Sequence, residues 1–525
     1  MRRLATFMMA VIVSVSAVQA QSIAALWNLC PKGGSVVLQS HVVADMVVVS
    51  DCDSPNMSPS LNVSVGTLES RWNRRTAFVQ TPDGKVGLRL IFASAGENAL
   101  HKGDMVKMDF HGCKISRSRK PDAITVEGVR AVNNILSCTP GGVIPVKEKY
   151  ISELTDRDIN TYVTLKDIDI VFKDGSYYNV HEDYTVKMDG WATLMRDSQG
   201  SGIYMHLTNA CPWRRTGKEL PAGTGTLSGI IVSEQNRRYG PDMGLYGIRP
   251  LDESDIALES GKSPWKTLVG WVKPEGSGQS LDFEISGTVG GLFKKGIAND
   301  RIYNDVGNTA AFLWTDSGSE VRVYSGYNSI SRENHGFVGN CALMFIGRSV
   351  DWYVWDGAGN VVDTRSFFVS FNASKLKGCV AQLAIEWSAG TQDGNKSWFY
   401  PIDWKAECSA DGENWYSLRD AATGSERIML HNVPWNDCVV KGSGHDFKKK
   451  PNYDTAMGPQ QHSFMLPEQV LGSKEVIIRL TPASTDVAKV RVEAPTSYRN
   501  GQITDKDTER ETWIRFESIQ IDYKK

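Results

Sequence analysis

The chain has 525 residues, 41% of them hydrophobic, and its 58 basic residues nearly balance 60 acidic ones to a formal charge of −2. That balance excludes a partner selected by bulk electrostatics, as a strongly basic nucleic-acid binder would select one. The length accommodates about three domains.

Arg2 and Arg3 precede an apolar stretch from Phe7 to Val18, which closes on Val18-Gln19-Ala20. A charged start, an apolar core of about a dozen residues and a small-residue end spell an export signal over 1–20, too short to span a bilayer. The next cysteine, Cys30, follows the bulky Trp27-Asn28, unlike the small-residue approach to a lipid-attachment cysteine. A soluble exported chain is expected, in the periplasm, at the cell surface or secreted. No second long apolar run follows, so no membrane span is expected. The nine cysteines (30, 52, 113, 138, 211, 341, 379, 408 and 438) include no C-x-x-C, which argues against a zinc ribbon or a thioredoxin-like pair. Their odd number leaves at least one thiol free or intermolecular.

Alternating apolar runs closed by Gly, Asn and Asp turns dominate, and the class is all-β. Val36 to Val49, Ala77 to Phe92, Met105 to Ile115 and Ala123 to Val132 read as strands or strand pairs, with Pro82-Asp83-Gly84 a hairpin turn. A helix is expected from about Ser64 to Trp72. The next hundred residues repeat the plan: the hairpin from Arg75 to Leu90 finds an echo from Trp191 to Leu207, and the turn at Leu100-His101-Lys102-Gly103 an echo at Leu220-Pro221-Ala222-Gly223. A period of about 115 residues is too long for a solenoid and means two copies of one domain, 33–145 and 146–260. Short strands, glycine turns and this order suit five-stranded OB-type barrels.

The turn hairpin, the segment GDMVKMDFHG (103–112) and the closing YGIRPLDESDI (246–256) resemble the OB-like domains of unknown function common in secreted Bacteroidetes proteins. The resemblance covers about 33 to 260 and implies fold and compartment, with no activity to carry over. In OB folds the ligand commonly lies across strands 2 and 3, between the loops joining strands 1 to 2 and 4 to 5. The last of these loops is basic in both copies: Arg117 and Arg119 within Lys114 to Pro121, and Arg237 and Arg238 beside Tyr239 within Ser233 to Gly240. Guanidinium groups there grip a polyanion and Tyr239 stacks on a base or sugar, or the same residues simply solubilise a hairpin tip.

Glu259 to Pro264 reads as a linker, after which eleven of the fifteen tryptophans occur. The remaining 261–525 reads as one large jelly-roll-type β-sandwich. Ile514, Phe516, Ile519, Ile521 and Tyr523 mark a terminal strand whose alternation slips once, as at a bulge. Ser409-Ala410-Asp411-Gly412-Glu413-Asn414-Trp415 gives a tight turn returning Trp415 to the interior. That hairpin resembles the one in galactose-binding-like jelly rolls, which implies glycan binding. Trp387, Trp398, Tyr400 and Trp404 form the densest aromatic group, with the polar loop 388–397 as a rim. Trp398, Tyr400 and Trp404 are the candidate sugar platforms, although a sandwich core also needs large aromatics.

Catalytic motifs of the H-E-x-x-H, G-x-S-x-G and P-loop kinds are lacking, and Ser374-Lys375-Leu376-Lys377 lacks the partners of an S-x-x-K enzyme. Asp505, Asp507, Glu509 and Glu511 have oxygen ligands at calcium-like spacing, and His431, His445 and His462 with Asp437, Asp446 and Asp454 offer metal donors; no cofactor is otherwise implied. Asp454-Thr455-Ala456 resembles a short O-glycosylation acceptor. The expected function is an exported noncatalytic binder of extracellular polysaccharide or oligosaccharide. The alternatives are a glycoside or phosphodiester hydrolase with accessory barrels, and nucleic-acid or polyanion binding by the barrels.

Overall fold

The computed structural model describes residues 23–54, 56–57, 74–172, 193–207, 221, 223–233, 244–271, 296–297, 302–306, 309–316, 320–324, 342–348, 352–358, 360–391, 403–429, 460–484 and 511–525. The expected export signal over 1–20 and the helix expected near Ser64 to Trp72 lie outside them. Among the described residues, Cys30, Cys52, Cys113, Cys138, Cys379 and Cys408 are all free thiols. Burial pushes Cys113 up to about 11, with Asp109 adding to it, and pushes Cys408 up to about 12.

The first module contains β1 (Ser35–Val37), β2 (Val43–Val48), β3 (Thr76–Gln80), β4 (Gly87–Phe92), β5 (Met105–Asp109), β6 (Lys114–Arg117), β7 (Ile124–Val129) and β8 (Ile135–Thr139). Two long paths are each broken once: β1 and β2 form one, β5 and β6 the other. They pair antiparallel along their lengths, Val43 opposite Asp109 and Ser35 opposite Ser116. From β2 the sheet continues antiparallel through β3 to β4, then in parallel to β7, and antiparallel back to β6. This closes a five-stranded barrel in the strand order 1-2-3-5-4-1 of an OB fold. Leu90, Val106, Ile115 and Val126 are buried inside it. Asp83 and Gly84 turn the β3–β4 hairpin, with Gly84 at φ +69° and the Asp83 carboxylate accepting from the Thr81 hydroxyl and the Lys85 N–H.

The second module repeats this with β9 (Lys147–Lys149), β10 (Tyr162–Ile170), β11 (Thr193–Arg196), β12 (Gly202–Met205), β13 (Gly223–Val232), β14 (Gly247–Arg249) and β15 (Ile256–Lys262). β10 pairs with β11 and β13, β11 with β12, β12 in parallel with β14, and β14 with β13, so the same closure recurs. β15 lies on β13 as β8 lies on β5. The stretch read as a linker is therefore mostly strand: β15 runs to Lys262, and the polar residues that suggested a linker occupy an exposed edge.

The third module is a sandwich of two sheets in which every pairing is antiparallel. One sheet holds β16 (Lys266–Trp271), β17 (Gly296–Ile297), β20 (Glu320–Tyr324), β21 (Ala342–Arg348), β25 (Val380–Thr391), β29 (Gln460–Met465) and β31 (Glu511–Lys524). The other holds β18 (Ile302–Val306), β19 (Thr309–Thr315), β24 (Phe367–Phe371), β26 (Asp403–Ser409), β27 (Tyr416–Ser417), β28 (Arg427–Met429) and β30 (Val476–Pro482). A separate hairpin joins β22 (Tyr353–Trp355) to β23 (Val361–Thr364). The chain crosses repeatedly between the sheets, as in a jelly roll. The slip in β31 is real: Ser518 faces Glu386 and Phe516 faces Trp387, leaving Glu517 as the bulged residue.

The modules are fastened by one device used twice. On β3, Phe78 and Gln80 point out of the first barrel; 116 positions later, Leu194 and Arg196 occupy the same places on β11. Phe78 packs with Tyr162, Ile230, Val232 and Leu251 of the second barrel, and Gln80 accepts from the Tyr162 N–H at 2.9 Å and donates to the Pro145 carbonyl at 3.0 Å. Leu194 packs with Tyr204, Val171, Phe172 and the sandwich residue Ala384. Arg196 donates through Nε to Asp169 (3.0 Å) and through Nη1 to Asp522 of β31 (2.7 Å), with Trp265 4.3 Å beneath its guanidinium. Opposite these residues, β4 and β12 both begin with a glycine. A Cβ on Gly87 would lie 2.4 Å from the Asn160 carbonyl carbon, and one on Gly202 would lie 3.0 Å from the Ala422 nitrogen.

Gly87 has ordinary φ, so Gly87→Ala is opposed by this close approach alone and should destabilise the first junction by about 1–3 kcal/mol. Thermal denaturation with limited proteolysis between the barrels checks it. Arg196→Met leaves Asp169 and Asp522 buried without their cation and should cost about 3–5 kcal/mol. Adding Asp522→Asn should recover part of that loss in the same melts.

Candidate binding surfaces

Docking covers most of the face on which OB folds usually bind, although Arg89 and Ile91 on strand 3 of the first barrel, β4, stay half-buried. β3, β11 and β12 are buried along their whole length, because their outward residues are covered by the neighbouring module. Docking thus occupies strand 2 of both barrels and strand 3 of the second, and in the described part the loops and hairpins are the remaining candidate surfaces.

The basic tip of the first barrel lies between β6 and β7, as its sequence indicates. Arg117, however, is held inward: its Nε and Nη2 donate to both oxygens of Asp122 at 2.6 and 2.7 Å, and Nη1 donates to the Trp27 carbonyl at 2.7 Å. The Asp122 pairing holds the guanidinium firmly charged, and the same bonds hold the Asp122 carboxyl below its usual range. A residue read as ligand-facing therefore staples the N-terminal helix Ala25–Leu29 and the hairpin together. Arg119 is exposed and crosses Gly33, where a Cβ would meet its Nε at 2.2 Å. Arg237, Arg238 and Tyr239 lie outside the described residues.

In the sandwich, Trp404 is 1% exposed and serves as core. Trp352 meets its edge at 5.2 Å and Trp387 at 5.5 Å, and Trp387 stacks on Phe516 at 5.6 Å. Position 404 falls on the inward face of β26, with Ala406 and Cys408, so stacking on a sugar is replaced by packing between the sheets. Trp398 and Tyr400, with most of loop 388–397, lie outside the described residues. Trp415 does not reach the interior: it lies half-buried under the Arg479 guanidinium at 3.9 Å, with its indole donating to the Gly412 carbonyl at 3.1 Å. The turn before it is self-contained, since two residues of its own loop make that closure and leave the indole short of the core.

Two aromatics not singled out by sequence do reach solvent. Trp355 is 40% exposed on the β22–β23 hairpin, and Tyr416 is 38% exposed on β27. Tyr353, two residues before Trp355, is buried and meets the Trp355 ring edge-on at 6.4 Å, while Trp355 reaches solvent at the end of the strand; the register shift opposite it leaves Val362 of β23 as the extra residue. That irregular two-strand register has no signature in the residue pattern.

His462 is 2% exposed, and its Nδ1 lies 2.9 Å from Asp420 Oδ2. Asp420 Oδ1 accepts from the N–H groups of Ala422 and Thr423, and the Ala421 carbonyl accepts from the Gly202 N–H. His462 thus supports the turn that meets the second barrel through Nδ1, and its buried Nε2 has no hydrogen-bond partner among the described residues. His431, His445, Asp437, Asp446, Asp454, Asp505, Asp507 and Glu509 lie outside the described residues.

The molecule is an all-β chain of two OB-type barrels and a jelly-roll sandwich. No family model and no curated protein matches it. Among solved structures it is similar to the K1 cleaved adhesin domain of Lys-gingipain (Kgp) from Porphyromonas gingivalis W83, at 12% identity and a TM-score of 0.18 over 40% of this chain and 89% of that one. A TM-score of that size is below what a shared fold gives, so the architecture stands on the strand topology alone.

The Asp411 turn carries its own pH dependence. Asn414, through its side chain and N–H, then the Glu413 N–H and the Ser409 hydroxyl hold the exposed Asp411 carboxyl well below its usual range. A depressed folded value contributes stability above the unfolded carboxylate range, and the contribution is lost as pH falls through it, from about pH 4 downward. Asp411→Ala should lower the melting temperature at pH 7, and the gap from the wild type should shrink as pH falls below about 4.

Proposed function

We propose that this is an exported, noncatalytic binding protein whose ligand is an extracellular polysaccharide or oligosaccharide, held by the sandwich. The observation carrying the reading is the doubled junction. Each barrel uses its usual ligand face to fix the next module, which makes the barrels a support and leaves presentation to the third module. Trp355 offers an exposed apolar ring of the size of a hexose face, and the sequence places Trp398 and Tyr400 beside a polar loop. Display outside the cytoplasm follows from the leader sequence, which belongs to the same proposal.

The test is an array of glycans carrying single-stranded DNA spots, probed with the chain from Gln21 across a salt titration. A salt-insensitive glycan signal is expected, falling about tenfold or more with Trp355→Ala or Trp398→Ala. A salt-sensitive DNA signal that falls with Arg119→Ala would overturn it in favour of the basic tip.

A further inference from the structure

The loop that leaves β2 and the loop that enters β5 emerge at one end of the first barrel, because these strands pair antiparallel with Val47 opposite Met105. Backbone bonds lock them together there: the Cys52 N–H donates to the Leu100 carbonyl at 3.0 Å, and the Gly103 N–H to the Val48 carbonyl at 2.9 Å. The consequence is a cluster of four different donors. His101 Nδ1 lies 3.3 Å from Asp51 Oδ1 and 3.9 Å from Cys52 Sγ, and one donor atom each of Asp51, Cys52, Asp53 and His101 lies within 4.8 Å of the others.

We propose that Asp51, Cys52, Asp53 and His101 form a binding site for one zinc-type transition-metal ion. A thiolate, an imidazole and carboxylates suit such a borderline cation, and the sulfur is a poor ligand for calcium or magnesium. Bonds of about 2.0–2.3 Å in a tetrahedral site put ligand atoms roughly 3.3–3.8 Å apart, so donors within 4.8 Å of one another need close by no more than about 1–1.5 Å. Asp51 is already oriented by the Asp53 N–H, which donates to its Oδ1 at 2.9 Å, as an outer bond orients a ligating carboxylate.

The location gives the ion something to do. Ser54, Asn56 and Met57, which follow this cluster in the chain, reach the second barrel. The Ser54 hydroxyl donates to the Leu251 carbonyl at 2.8 Å, and Asn56 Nδ2 donates to the carbonyls of His206 (2.9 Å) and Pro250 (2.6 Å). Met57 joins the apolar cluster shared by the barrels. An ion clamping Asp51 to His101 fixes the root of this strap and strengthens the junction by mass action.

The experiment is a cobalt(II) titration of the reduced, metal-free chain from Gln21, followed by zinc displacement and melting with and without zinc. One equivalent of cobalt with a thiolate-to-cobalt charge-transfer band is expected, displaced by zinc, with a higher melting temperature in the zinc form. Cys52→Ser and His101→Gln should lose the band and weaken zinc binding by about 100-fold or more, whereas Cys138→Ser, an exposed thiol elsewhere, should keep it. Circular dichroism of the metal-free variants establishes that they fold. His101, being exposed, carries the test alone if Cys52→Ser does not fold. A wild-type chain without the band, or a band that survives both substitutions, overturns the site.

Discussion

The outward face of the second strand in each barrel must be covered, and the rest of the architecture follows from that constraint. A closed five-stranded barrel has an apolar interior and can leave its exterior in water. Here Phe78 and Leu194 make the exterior of strand 2 apolar in both copies. Burying those side chains contributes about 1.5–3 kcal/mol each relative to exposure, which is enough to fix a junction once the polar groups beside them are satisfied. Gln80 and Arg196 supply that satisfaction, and the opposing glycines let the backbones approach.

Much of this architecture was legible in the sequence because alternation and turns report directly on strands. The repeat at about 115 residues was visible in the hairpin glycines Gly84 and Gly200, both of which take positive φ. The slip between Phe516 and Ile519 announced the bulge at Glu517. The domain docking was not legible. Gln520 and Asp522 alternate with the apolar Ile519, Ile521 and Tyr523, a pattern shared with solvent-facing polar positions, yet they and Arg196 are all at least nine-tenths buried. Alternation separates two faces of a strand and cannot tell water from a polar partner.

The candidate binding residues were harder still, for the same reason applied to aromatics. Tryptophan serves equally as core and as platform, and only the face it occupies distinguishes the roles. Trp404 falls on the inner side of a regular strand, while Trp355, at the end of a two-stranded hairpin, is exposed two residues after the buried Tyr353. Arginine has the same ambiguity: Arg117 lies in a basic tip but is consumed by a bidentate partner five residues on, whereas Arg119 is exposed and crosses Gly33.

The two junctions differ in chemistry in a way that suits a chain with duplicated barrels. Because the modules share a fold, either barrel has the shape to dock on the sandwich, and shape alone discriminates poorly between them. The second junction contains the buried Arg196 between Asp169 and Asp522, with Ser263 and Thr267 hydroxyls donating to those carboxylates. A buried ion cluster adds little net stability over an apolar isostere, but a missing partner is costly. If the first barrel took the second one's place, neutral Gln80 would face Asp522 and leave a buried carboxylate without its cation. The charge at position 196 therefore acts chiefly against the wrong pairing, and the apolar cluster around Phe78 supplies adhesion where no such choice has to be made.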